Sequence, residues 1–209
     1  YDASLVLYVP VWKRDGVVFP SDDAYGRLAT VTGALWTPSG RSFDGIDDYI
    51  TTPDASGLDG MSQLTLEAWV KVTSSGARGV LGKHWSGTDG CYFLVFPNAT
   101  TLQFTTINST PTRVDYSVSH TTPHTAFHHI VGVYNGSTMT LYDNCVPFAS
   151  PASQSGTIQN NTRGLAIGAT DTTGTQPFAG LIGEVRIYSR ALTASEVQRN
   201  YQLTKWRYR

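Results

Sequence analysis

Hydrolysis of a glycosidic bond normally needs two carboxyl groups flanking it, about 5–5.5 Å apart for retention and about 6.5–9.5 Å for inversion. The cleanest strand pattern in the chain, residues 64–72, reads Leu-Thr-Leu-Glu-Ala-Trp-Val-Lys-Val and offers a single acid, Glu67, between Thr65 and Trp69. A lone strand glutamate is more often structural than catalytic, and no GxSxG, HExxH, phosphate-binding loop or GxGxxG follows elsewhere. The sequence therefore predicts no enzyme. The five histidines are His84, His120, His124, His128 and His129. Adjacent strand residues point to opposite faces, so His128 and His129 cannot easily share a metal. A zinc site built from His120 and His124 needs at least one further ligand.

Sugar recognition is a better match to the residue types. Aromatic faces stack on sugar rings while amides and carboxylates bond the hydroxyls. Trp12, Trp36, Trp85 and Tyr92 lie in or beside predicted loops and are the candidate ligand-binding residues. The competing role for each is a core plug, since a buried aromatic removes a large area from water. Trp69 can lie on either face of a sandwich.

These residues must be positioned by β-structure. The chain has 209 residues, 40% hydrophobic, with only 15% charged. Ser and Thr make up roughly a fifth, a bias towards strands and turns. Alternating runs predict strands at 5–9, 49–52, 64–72, 79–83, 91–96, 102–107, 114–118, 128–134, 138–142, 165–169 and 181–188. Asn135-Gly136 between two of them predicts a hairpin over 128–142 with a type I′ turn. One short helix is predicted from Ala194 to about Leu203, capped by Thr193 with Glu196 three residues on, and with Val197, Tyr201 and Leu203 on one face. Loops are expected at 119–125 and 149–162. One domain fills 1–209, with a core of about 4–203 and an aromatic, basic tail at 204–209 that either docks or frays.

A net charge of −1 provides no field for nucleic acid, and no apolar run reaches the ~18–20 residues that cross a bilayer. The N-terminal segment has neither a basic region nor an initiating Met, so it is not an intact signal peptide. Cys91 and Cys145 allow either one bridge or two thiols. Four glycosylation sequons start at Asn98, Asn108, Asn135 and Asn160.

Five segments in order resemble laminin-G-like domains of the concanavalin A-like lectin/glucanase superfamily, pentraxin relatives included. They are Val31-Thr-Gly-Ala-Leu-Trp36, Gly40-Arg-Ser-Phe-Asp-Gly-Ile-Asp-Asp-Tyr-Ile50, the run from Leu64 to Val70, Phe127-His-His-Ile-Val-Gly-Val-Tyr-Asn-Gly136 and Gly180-Leu-Ile-Gly-Glu-Val-Arg-Ile-Tyr-Ser-Arg-Ala-Leu192. The resemblance implies an all-β, two-sheet antiparallel jelly-roll sandwich with one short C-terminal helix and adjacent first and last strands. It also implies that His128-His129 serves packing or edge hydrogen bonding.

Family members often carry a structural Ca²⁺, a hard ion that takes about six to eight oxygen ligands. The resemblance makes Asp22, Asp23, Asp44 and Glu184 the candidate calcium ligands, although no cofactor is required. Gly183 stands where the family often has an Asp, which weakens or abolishes such a site, and turn capping is the alternative role for these acids. Two functions are expected from the whole. One is a non-catalytic carbohydrate-binding or adhesion module on a secreted or surface protein, with a glycan as partner. The other is a structural domain of a larger assembly, such as a virion decoration, a fibre or a surface appendage. That domain would contact neighbouring subunits and form homo-oligomers.

Overall fold

Alternation along Leu64–Val72 sets the order of the layers. Leu64, Leu66, Ala68, Val70 and Val72 enter a large apolar core. Thr65, Glu67 and Trp69 point the other way and are also buried, so something must cover that second face. In the computed structural model of this chain, the core lies between two antiparallel sheets and the cover is the C-terminal segment. The structure describes residues 2–73, 78–120, 126–148 and 150–209; His124 lies outside them.

One sheet has nine strands. Its order from one edge is Val146–Pro147, Thr138–Asp143, His128–Tyr134, Leu64–Val72, Ala179–Tyr188, Gly40–Asp44 and Leu35–Thr37. Leu5–Val9 also pairs with Ala179–Tyr188, which makes the first strand a neighbour of the last, and Ala152–Ser153 pairs with Thr138–Asp143. The second sheet has eight strands, in the order Arg113–Ser119, Thr101–Ile107, Asp89–Asn98, Arg78–Ser86, Leu165–Ile167, Tyr49–Thr52, Leu28–Thr32 and Val18–Pro20. This is the two-sheet sandwich that alternation predicts.

The sequence-predicted strands all form, and the differences have local causes. The strand expected over 165–169 stops at Ile167 because Gly168 turns to φ 81°. Val18–Pro20, Leu28–Thr32, Leu35–Thr37 and Gly40–Asp44 carry too few alternating apolar residues to stand out; Leu28–Thr32 buries only Ala29 fully. The hairpin over 128–142 is present, but its turn is not type I′. Only Gly136 takes positive φ there, the type II′ sense, while the Asn135 carboxamide oxygen accepts from the Ser137 and Thr138 backbone. Two consecutive positive φ angles occur instead at Asn144 and Cys145, which turn Thr138–Asp143 into Val146–Pro147. The loop expected over 149–162 contains the strand Ala152–Ser153 and a bridge from Ile158 to Asn108; the loop expected at 119–125 falls outside the described residues from 121 on. Cys91 and Cys145 are free thiols, with burial pushing the Cys91 thiol up to about 12. Among the sequons, Asn108 is buried and its amide is engaged by Ser155, Thr110 and Thr112.

The helix Ala194–Thr204 starts at the predicted capping box, with Glu196 N donating to Thr193 Oγ1 and Thr193 N to the Glu196 carboxylate. Its inner face is Val197, Asn200, Tyr201 and Thr204, the i, i+3, i+4, i+7 pattern; Leu203 is 61% exposed, off that face. Val197 and Leu192 join Val131, Val133, Tyr142 and Tyr188 in a second apolar cluster on the outer side of the nine-stranded sheet. The tail continues as a 3-10 turn over Lys205–Arg207 and docks: Tyr208 is buried and stacks on Trp69 at 4.5 Å between ring centroids.

Candidate functional site

The outer face of the eight-stranded sheet is built from the polar halves of alternating strands. Leu94, Phe104 and Tyr116 point into the core. The register puts their neighbours in rows on the opposite face. Phe93, Thr105 and Asp115 lie side by side across three strands, and Val95, Gln103 and Ser117 form the next row. Thr105 Oγ1 donates to Asp115 at 2.6 Å and accepts from Gln103 Nε2 at 2.9 Å. Arg113 reaches Asp115 with Nε at 2.9 Å and lies over the Phe93 ring at 5.1 Å, while His84 packs edge-on against the same ring. Burial lowers the His84 pKa, so this imidazole is neutral near pH 7.

Trp85 completes the site. It sits near the end of Arg78–Ser86, next to the Gly87 turn, and is 42% exposed with the Arg163 guanidinium 4.7 Å from its ring. Arg163 is held by Asp89 at 2.7 Å. His84, Trp85, Phe93, Gln103, Arg113 and Asp115 line an open groove of about 260 Å³, just under the ~300 Å³ lower end for small-molecule sites. A ring platform, an amide, a guanidinium and a carboxylate thus converge at one place on rigid strands. That is the equipment for holding a small polyhydroxylated ligand. A larger cleft, about 500 Å³, lies between Phe127, Leu181 and the tail, but it is mostly apolar and brings no such polar set together.

The other outer face is sealed. Beneath the helix, Glu67 is bound by Arg186 at 2.6 Å, His129 Nε2 at 3.0 Å and Asn200 Nδ2 at 2.8 Å. Burial alone would raise the Glu67 pKa, but Arg186, His129 and Asn200 outweigh it and hold it at about 2. Arg186 also binds Glu184 at 2.6 Å, and Glu184 accepts from the Tyr8 hydroxyl and the Trp12 indole. Burial, then the Glu184 charge, pushes the Tyr8 hydroxyl up to about 12. Trp69 donates to Thr204 and lies against Tyr201, Tyr208 and His129. The two acids share one arginine and are almost wholly out of water (1% and 2% exposed), so they form a structural ion network and not a cleft.

The expected sugar-contacting aromatics therefore separate. Trp85 lies in the groove. Trp12 and Trp36 meet elsewhere, the Trp36 indole donating to the Trp12 carbonyl at 2.8 Å and Arg207 stacking on Trp12 at 3.4 Å. Tyr92 is corrected: it faces inward, fully buried, and its hydroxyl donates to the Leu58 carbonyl at 2.7 Å. Tyr92 lies in the strand Asp89–Asn98 on the same side as Leu94 and Phe96, and this alternation turns its ring into the sandwich core.

The four expected calcium ligands are not assembled either. Asp22 binds Lys13 and Arg14. Asp23 accepts from the Tyr8 and Tyr25 backbone and faces Arg27. Asp44 Oδ1 accepts from the Ile46 and Asp47 backbone, and Glu184 belongs to Arg186. Asp44 clusters instead with Asp47 and Asp48, in a turn where Asp48 Oδ2 accepts from Asp44 N. At Gly183 a Cβ would stand 2.2 Å from the Tyr208 ring, so the docked tail fills the space an Asp would need. These residues do not fit a shared calcium ion. Sequence reasoning missed Gln103, Arg113, Asp115 and Arg163. The polar alternation of 113–117 was visible, but its convergence with Trp85 depends on register.

Comparison with known proteins agrees with this architecture. Among curated proteins, no sequence matches the chain. Among solved structures, it is similar to the binding domain of botulinum neurotoxin serotype G, at a TM-score of 0.75 and 11% identity over 96% of this chain and 51% of that one. It is also similar to Trypanosoma rangeli sialidase in complex with sialic acid, at 0.75 and 16% identity over 100% and 34% of the two chains. The botulinum neurotoxin serotype D ligand binding domain in complex with N-acetylneuraminic acid gives 0.72 and 14% over 95% and 50%. This chain thus spans a third to a half of those proteins. Residues 44–198 match the laminin-G-type family model described as the concanavalin A-like lectin/glucanases superfamily, and this chain belongs to that family.

Proposed function

We infer that the domain is a non-catalytic carbohydrate-binding module of a secreted or surface protein, and that the groove beside Trp85 is its sugar site. The observation that carries this reading is the convergence of an exposed indole with Gln103, Arg113 and Asp115 on one open face. Similarity to a toxin domain and a sialidase, both described in complex with sialic acid, supports a glycan as the ligand class. The non-catalytic reading rests on where the acids lie. Glu67 and Glu184 neutralise Arg186 under the helix, and the groove wall contributes one carboxylate, Asp115. Acid–base cleavage of a glycoside normally uses two.

A glycan array carrying neutral and sialylated sugars, followed by titration calorimetry on the hits, tests the proposal. Trp85→Ala weakens the best ligand about tenfold or more, equivalent to about 1.4 kcal/mol, while Trp36→Ala leaves affinity unchanged. No hit on the array, or equal losses in the two variants, overturns it.

A further inference from the structure

Where the edge strand Arg113–Ser119 ends, the two sheets meet through three side chains that the sugar groove does not use. His120 follows Arg113–Ser119, the edge strand of the eight-stranded sheet. His128 opens His128–Tyr134 and Asp143 closes Thr138–Asp143, neighbouring strands of the nine-stranded sheet. Both lie on the inward side of their strands, in register with core residues Ile130 and Leu141 two positions away. His128 Nδ1 is 2.9 and 3.0 Å from the two Asp143 oxygens, and His120 Nε2 is 3.1 Å from Oδ2. Among the described residues, the ion-pair partners of Asp143 are these two imidazoles.

We propose that His120, His128 and Asp143 form a transition-metal site of the zinc class that clasps the two sheets together. Two imidazole nitrogens and one carboxylate make a donor set that Zn²⁺ accepts, with metal–ligand distances of about 2.0–2.2 Å. Such bonds in a tetrahedron place neighbouring donors about 3.3–3.5 Å apart, and here the three donor atoms lie within 4.8 Å of one another. Small ring rotations convert the present contacts into ligation. Both histidines are buried, His120 between the Phe96 and Phe148 rings and His128 against the His120 ring, a water-poor shell that favours the charged bond. Asp143 is more open, at 24% exposure, beside a cleft of about 330 Å³ lined by Asn144, Val146, Pro147 and Phe148. That cleft provides the entry path and the fourth coordination position. The turn at Asn144 and Cys145, with its two positive φ angles, fixes the Asp143 end of the site.

Chelator-treated protein titrated with Zn²⁺ against a chromophoric competitor decides the matter. The expected result is one equivalent bound at micromolar affinity or tighter, and a raised Tm on zinc addition. Co²⁺ should produce the intense visible bands of a four-coordinate site. Asp143→Asn, which keeps the side-chain volume, and His128→Gln each weaken binding at least ~100-fold; His84→Ala, in the sugar groove, does not. Wild-type protein that takes up no stoichiometric Zn²⁺ or Co²⁺ overturns the proposal even if the variants fail to fold. Asp143→Asn binding as tightly as wild type overturns it as well.

Discussion

The two outer faces of this sandwich are built from the same alternating strands and meet opposite fates. On the nine-stranded sheet, the outward residues Glu67, His129 and Arg186 lie under the helix and tail in one ion network, with Trp69 stacked beside them on Tyr208. On the eight-stranded sheet, the outward residues Gln103, Arg113, Asp115 and Trp85 line an open groove. Polar side chains on a sheet face therefore say little alone. Where a segment covers them, they must satisfy one another, because an unpaired buried charge is costly. Where none does, their hydrogen-bonding capacity remains for a ligand.

The largest effect expected from this contrast is on stability. Glu67→Gln leaves Arg186 buried without its main counter-charge and costs about 3–5 kcal/mol in urea unfolding. Comparable losses from Asp115→Asn would erase the distinction between the faces. Next comes the tail. Tyr208→Ala removes the ring packed on Trp69 and costs about 3 kcal/mol, and Gly183→Ala forces the same ring out for about 1–3 kcal/mol. The double variant should lose little more than Tyr208→Ala alone, since one contact is broken twice. Full additivity in that cycle would show that Gly183 does not act through Tyr208.

Acid probes the sealed face more gently. The Glu67 pKa is held at about 2, against an ordinary 4.5. Its stabilising contribution is thus complete above about 4.5 and is lost as the pH falls towards 2. A Tm profile level from pH 7 to 5 that declines below 4.5 is the expected outcome, with a shallower decline in Glu67→Gln. Asp143, also held at about 2 by His120 and His128 despite its burial, adds to the same window. The smallest effect belongs to the open face: Asp115→Asn should shift stability by less than about 0.5 kcal/mol, as is usual for surface positions.

Much of the scaffold was legible from local pattern. The alternation of 64–72, the capping box at Thr193 and Glu196, and the hairpin around Gly136 each depend on residues a few positions apart. Those are the distances over which side-chain period and backbone φ act. Tyr92 shows the limit, because the alternation that groups it with Leu94 and Phe96 does not say which side of the sheet is the core.

The sequence by itself determined that this chain makes two alternating sheets and one capped helix, and which residues share a strand face. Only the tertiary structure decided which outer face is covered and which polar residues converge. Trp69 is sealed by Thr204, 135 residues later, and Asp115 meets Gln103 through the register of strands that are separate in the chain. A period of two assigns a side chain to one side of a sheet; what lies on that side is set by long-range packing.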